Sequence, residues 1–277
     1  MLRRRRRGRT GACARQRRYA ARVASLEIGI IGLPNCGKTS VFNALTGTGA
    51  PVTDYAATTP SANRGVAPVP DERLDACRAA ASSRELIPAT VEVVDVSGLV
   101  RGGGRDGGLG GEFLQHLRAA DALIHVVRCF TDDAVFHVDG RIDPADDAEA
   151  VDLELLFADA GVVQKRIERQ EKAARTGAKE ARAEVEVLGR LLAHLEGGAP
   201  VRTFAEPLPH ELDLLTAKPL LYVANTDETG DPERVAALRA YTGPIEVVPV
   251  AAKFEAELAE IEDPDERALF LGEIGLD

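Results

Sequence analysis

The chain has 277 residues, 45% of them apolar, with a formal net charge of −10. That is enough apolar side chain for a full core in one large domain, or in one domain carrying an insertion. No run approaches the roughly 18 to 20 apolar residues that span a bilayer, so a membrane protein is not expected.

In chain order, residues 1–25 come first and hold ten arginines and no acid. The remainder carries 24 basic against 44 acidic residues, net −20. This stretch lacks the apolar centre of a secretory signal. It reads as a basic, disordered tail: either an arm for nucleic acid or the ribosome, or inert sequence ahead of a true start near Leu26. From Leu26 the run LEIGIIGL predicts a buried strand, GLPNCGKT a glycine-rich loop, and KTSVFNALTG a helix with Val41, Phe42 and Leu45 facing inward. Four further apolar strands are TVEVVDV (90–96), ALIHVVRCF (122–130), PLLYVANT (219–226) and IEVVPVAA (245–252). Helical stretches such as Glu112 to Ala120 and Pro232 to Tyr241 lie between them. Continuous apolar strands alternating with helices specify an α/β fold with a mainly parallel sheet covered on both faces.

The middle departs from that rhythm. Between about Asp152 and Glu196 no strand appears, and Leu153, Leu156, Ala160, Val163 and Ile167 recur at helical spacing, as do Ala181, Val185, Leu188, Leu192 and Leu195. The charged patch ARTGAKE (174–180) divides the two series. The pattern predicts an antiparallel α-helical hairpin with arms of about 30 Å, inserted over 140–205 within a nucleotide domain of 26–277. Two ordinary helices lying on the sheet are the alternative, and the heavy charge favours a projecting hairpin.

The loop matches G-x-x-x-x-G-K-[ST] at Gly32, Gly37, Lys38 and Thr39. Glycines let successive backbone N–H groups face a phosphate, the helix N-terminus adds positive potential, Lys38 reaches the β and γ phosphates, and the Thr39 hydroxyl binds Mg2+. A strand before the motif and a helix after it remove most chance matches. Asp95 ends a strand in DVSG, where such enzymes place an acid near the metal, and Gly98 is positioned to give an N–H to the γ phosphate. Glycine-dense LVRGGGRDGGLGG then reads as a switch loop. Thr59 is the candidate for the other switch, and spacing alone does not separate it from Thr58.

Leu99 stands where regulatory GTPases carry a water-orienting glutamine, and leucine cannot perform that task. Among the five histidines, His125 reads as a core residue within its strand, and His194 and His210 have no partner motif. His116 is a weak candidate. His137, in TDDAVFHVDG, is positioned to swing over a nucleotide. Base recognition falls to Asn225, Thr226 and Glu228 in ANTDE, where guanine-specific proteins present N-K-x-D. The lysine is absent and the carboxylate is one methylene longer, which favours adenine. Ala252 and Lys253 are expected to complete the base pocket. The four cysteines, Cys13, Cys36, Cys77 and Cys129, show neither a CxxC pair nor zinc spacing and read as reduced thiols of a cytoplasmic protein. Cys36, at a helix N-terminus, is in a setting that lowers thiol pKa, with oxidant sensitivity as the consequence. A small side chain at a variable loop position is the plainer reading.

These motifs, together with HVDGRIDPADDAEAVDLELLFADAGVVQKRIER, occur in the order seen in the YchF (Obg-like ATPase) family, which the chain resembles over about residues 26 to 277. The resemblance implies a Ras-like nucleotide domain, a coiled-coil insertion, preference for ATP over GTP, and contact with the ribosome. Residues Asn35, Cys36, Gly37, Lys38, Thr39 and Ser40 would wrap the phosphates, and Thr39, Thr59 and Asp95 would hold Mg2+. His137 matches the histidine taken to replace the missing glutamine. Asn35 matches an asparagine that helps hold potassium in some relatives. The family's C-terminal TGS domain has no counterpart before Asp277, and Ala56, Ala57, Pro60 and Ser61 depart from the usual first switch. The expectation is a monomeric, Mg2+-dependent ATPase switch meeting the ribosome. The alternatives are an Obg-type GTPase and a truncated paralogue that senses nucleotide without turning it over.

Overall fold

A computed structural model describes residues 26–50, 62–96, 111–132, 134–137, 140–175, 178–209, 212–261, 263, 266–267, 269 and 271. Among the described residues six strands form one sheet: β1 (Leu26–Ile31), β2 (Asn63–Pro68), β3 (Thr90–Asp95), β4 (Ala122–Arg128), β5 (Leu220–Asn225) and β6 (Val247–Val250). Their order across the sheet is β2-β3-β1-β4-β5-β6. β2 runs antiparallel to β3, and every other neighbouring pair is parallel. The helices are α1 (Lys38–Thr46), α2 (Arg73–Ala81), α3 (Gly111–Ala119), α4 (Pro144–Arg175), α5 (Lys179–Glu196), α6 (Pro232–Thr242) and α7 (Ala252–Glu260). Among the described residues no helix is long and apolar enough to cross a membrane.

The pleat sends adjacent apolar residues to opposite faces, which is why the strands read as continuous apolar runs. Ile31, Val94 and Leu123 pack with Leu117 of α3 and with Val151 and Leu155 of α4. Ile30, Val93 and Val126 pack on the other face with Val41 and Phe42 of α1 and Ala252 of α7. Complete burial of one such large side chain contributes about 1.5–3 kcal/mol. β2 escaped the sequence reading because Asn-Arg-Gly-Val-Ala-Pro has little apolar content. It is an edge strand, a place where proline and polar residues are tolerated. Leu45 does not face inward; it is 41% exposed. Asn43 is buried in that part of α1 instead, its side chain donating to the Ala50 carbonyl and accepting from the Ala50 N–H, both at 2.8 Å.

The two central helices form an antiparallel pair. α4 has 32 residues, about 48 Å at 1.5 Å per residue, and is therefore longer than the arms inferred from periodicity. Its early turns lie on the sheet through Ala148, Val151 and Leu155. Beyond them, Leu156 and Val163 join Leu188, Leu191 and Leu195 of α5 in a seam that continues to Val201 and Leu214. Leu153 is outside this seam and 39% exposed. Residues 151 and 155 face the sheet, so the helical repeat turns the position midway between them outward. Leu191 joins the seam from a position that the periodicity did not select. Arg166 Nε and Gln170 Nε2 both donate to Glu184, at 2.7 and 2.9 Å. Buried Asp159 accepts from the N–H groups of Leu215 and Thr216, fastening the chain where it returns towards β5.

Candidate nucleotide site

The strand order places β3 on one side of β1 and β4 on the other, a topological switch at the carboxyl end of β1. Ligands of open α/β sheets bind at such points. Register aligns Ile30 with Asp95 and Arg128 with Asn225, so the chemistry-bearing residues cluster at one edge of the sheet.

The loop from Gly32 to Thr39 is shaped by backbone constraints. A Cβ on Gly32 would collide with the Val126 carbonyl, and one on Gly37, at φ 94°, with the Asn225 amide. Asn35 adopts φ 60°, the left-handed conformation that asparagine tolerates better than most residues. Lys38 Nζ donates back to the carbonyls of Leu33 at 2.8 Å and Gly32 at 3.2 Å. The Thr39 hydroxyl donates to Asp95 Oδ2 at 2.7 Å, and Asn63 Nδ2 reaches the same oxygen at 3.3 Å. Asp95 is buried, and its Oδ1 has no hydrogen-bond partner among the described residues. A hydroxyl beside a buried carboxylate with an oxygen to spare is a donor set that suits a hard divalent cation such as Mg2+.

Asn225 lies beneath the loop. Its Nδ2 donates to the Cys36 carbonyl at 2.9 Å, and its Oδ1 accepts from the Ala252 N–H at 3.1 Å. Both ends of the amide are therefore engaged in tying β5 and α7 to the phosphate loop, and the Ala252 N–H is engaged with them. Thr226 is buried, its N–H donating to the Val250 carbonyl at 2.9 Å. Glu228 and Lys253 are exposed, Glu228 in the turn after β5 and Lys253 in the first turn of α7, while Ser40 is half-buried in α1. Thr58, Thr59, Gly98, Leu99, the glycine-dense loop, His210 and the arginine-rich tail lie outside the described residues.

Cys36 corrects an expectation. It is 2% exposed, and burial pushes its thiol pKa up despite the nearby Lys38. The helix N-terminus does not produce a thiolate there, because a charge on sulfur would be shielded from water. Burial likewise pushes Cys129 up to about 12.

The histidines separate clearly. His125 is buried in β4 with its ring centroid 5.0 Å from that of Tyr222. His194 packs at the base of α5 near Pro200 and Thr203, and His116 is half-buried on α3. His137 lies in a segment fastened to the phosphate loop, where Asn35 Nδ2 donates to the Phe136 carbonyl at 3.1 Å. Its Nε2 is 2.9 Å from Asp147 Oδ2, and both side chains are buried. Arg128, at the end of β4, donates from Nη1 to Val135 at 2.9 Å and from Nη2 to Asp132 at 3.0 Å. Sequence reasoning missed Asn63, Arg128 and Asp147. A charge at the end of an apolar strand was the available signal for Arg128, whereas Asp147 looked like an ordinary acid in the first turn of a helix.

Fold and loop together define a Ras-like P-loop nucleotide-binding protein. The family model described as "50S ribosome-binding GTPase" matches residues 27–187. The chain is 43% identical over 264 residues to "Ribosome-binding ATPase YchF" of Bacillus subtilis (strain 168), covering 91% of this chain and 72% of that protein. It is 40% identical over 261 residues to the protein of that name from Escherichia coli O157:H7, covering 91% and 71%. The solved structure of the Schizosaccharomyces pombe YchF GTPase aligns with a TM-score of 0.72 at 30% identity, covering 91% of this chain and 72% of that one. The chain belongs to the YchF family.

Proposed function

We propose that the protein is a Mg2+-dependent ATPase that acts as a molecular switch on the ribosome. The observation that carries this reading is the Thr39–Asp95 hydrogen bond at the carboxyl edge of the sheet, beside Lys38 and above a loop braced by Asn225. Thr39 and Asp95, joined by Thr59, would hold the cation, which when bound neutralises charge on the β and γ phosphates. Lys38 leaves its two carbonyl partners for phosphate oxygens, and the loop N–H groups from Asn35 to Ser40 receive the remainder. Gly98 gives its N–H to the γ phosphate. His137 orients the attacking water in place of the glutamine absent at Leu99. Asn35 would hold a potassium ion through its amide oxygen, since its nitrogen is donated to the Phe136 carbonyl.

For base choice, Asn225 serves chiefly by holding the loop, while Thr226, Glu228 and Lys253 form the rim that discriminates adenine from guanine. The missing lysine and the longer carboxylate favour ATP. The names of the bacterial relatives specify an ATPase and that of the yeast structure a GTPase. The ribosome is the partner named for the bacterial relatives. Between residues 165 and 182, from the last turns of α4 into the start of α5, seven Lys or Arg stand against three Asp or Glu. On a body of net −20, that local excess suits phosphate-rich RNA. A cytoplasmic monomer completes the proposal.

The test is steady-state hydrolysis of ATP and GTP by the whole chain, with and without ribosomes, alongside His137→Ala. The expected result is slow ATP turnover, weaker GTP turnover, stimulation by ribosomes, and loss of turnover in the variant with nucleotide affinity kept. Clear preference for GTP overturns the base assignment. Full activity of His137→Ala overturns its role, and no turnover of either nucleotide favours the non-catalytic sensor.

A further inference from the structure

Three described backbone carbonyls of the segment bearing His137 accept hydrogen bonds from side chains. Buried Arg128 binds two of its carbonyls from below, and Asn35 binds the Phe136 carbonyl from the phosphate loop. From this segment the imidazole meets a carboxylate of a separate element, Asp147 in the first turn of α4. A carboxylate has no proton to give at neutral pH, so a 2.9 Å contact requires the ring to donate from Nε2. The partner of one ring nitrogen decides what the other can do, as in metal sites and catalytic triads, where a carboxylate fixes both tautomer and orientation.

We propose that Asp147 is a positioning residue for His137. It holds the ring through Nε2–H and so fixes its tautomer and its orientation. Arg128 and Asn35 keep the backbone where that ring must be. The proposal rests on the reading of His137 given above and adds to it the group that makes the ring competent. A buried acid–histidine pair can also be purely structural. The two roles differ in what they change, since a structural pair affects melting while a positioning pair affects turnover through His137 alone.

The test uses the whole chain and measures kcat, KM and the Kd for a fluorescent ATP analogue. Asp147→Asn should lower kcat about 10- to 100-fold, the range seen when an orienting partner is removed, with KM and Kd within about 2-fold of wild type. Asp147→Glu should recover most of the loss. In a His137→Ala background, Asp147→Asn should have no further effect on kcat, because residues acting as a unit are not additive. If His137→Ala keeps full activity, the reading of the histidine fails first. If that variant is inactive while Asp147→Asn retains or raises kcat, the positioning role is wrong. Should Asp147→Asn fail to fold or bind ATP, 15N NMR of histidine-labelled wild-type protein decides. The His137 signal, assigned by its absence in His137→Ala, should show the Nε2–H tautomer, and an Nδ1–H tautomer overturns the proposal.

Discussion

The carboxyl edge of the sheet and the packed pair α4 and α5 are held together by opposite means. At the sheet edge, Lys38, Thr39, Asn225, Arg128 and Asn35 are all engaged with backbone groups or buried polar partners. In the helix pair, Leu156, Val163, Leu188, Leu191 and Leu195 form an apolar seam, with Arg166–Glu184 at half-exposed positions and buried Asp159 fastening the return towards β5. Hydrogen bonds contribute little net stability but fix directions, and they are costly when one partner is removed. Apolar burial has no direction and contributes in proportion to area. A site that must hold phosphate oxygens to within a fraction of an ångström therefore uses the first, and a helical arm that must remain folded uses the second.

Three substitutions test this contrast, the largest effect first. Leu188→Ala opens a cavity at a fully buried seam position and should cost about 2–5 kcal/mol in chemical denaturation, with the nucleotide Kd of the folded protein unchanged. A parallel loss of affinity would show that the hairpin and the site are not separable. Asn225→Ala removes the bridge and leaves the Cys36 carbonyl and Ala252 N–H buried without it. It should cost about 1–3 kcal/mol, and here affinity should fall along with stability. A stable variant with normal affinity would mean that the loop holds its shape unaided.

The third concerns Asp152, where α4 still lies on the sheet. Its carboxylate accepts from Tyr222 Oη at 2.6 Å and Tyr241 Oη at 2.9 Å, and His125 Nδ1 lies 3.6 Å away. Burial alone would raise its pKa, but His125 and the two hydroxyls outweigh it, so the folded value lies below the ordinary 3.8. A depressed carboxylate pKa stabilises the fold above the unfolded value, and that stability is lost as pH falls through the folded one. The stability difference between wild type and Asp152→Asn should therefore shrink as pH falls below about 3.8. Urea denaturation followed across pH 2.5 to 7 measures it, and a difference independent of pH would remove the ionised carboxylate from the account.

Much of the fold was legible because its signals are local. The strand, loop and helix around Gly32 to Thr39, the runs at 90–96 and 122–130, and the helical periodicity after Asp152 each occupy contiguous residues, and the structure places β1, β3, β4, α4 and α5 there. β2 was hidden because an edge strand with proline and glycine lacks apolar periodicity. Leu45 was assigned inward, and Leu153 was placed in the apolar series, because periodicity identifies a stripe without identifying what the stripe faces. The candidate site was legible in its types and incomplete in its partners. Lys38, Thr39 and Asp95 stood out by motif, whereas Asn63, Arg128 and Asp147 did not, since each acts on a residue that no short pattern connects to it.

The amino-acid order alone determined that a phosphate-cradling loop follows a buried strand, because glycine tolerance, helix start and apolar run are properties of neighbours. Tertiary structure decided three further points. Asn225 braces a loop 189 positions away, Cys36 is buried and so retains its proton, and His137 meets Asp147. These depend on which surfaces close over one another, and closure sets both the burial that moves a pKa and the partners that give a polar group its role.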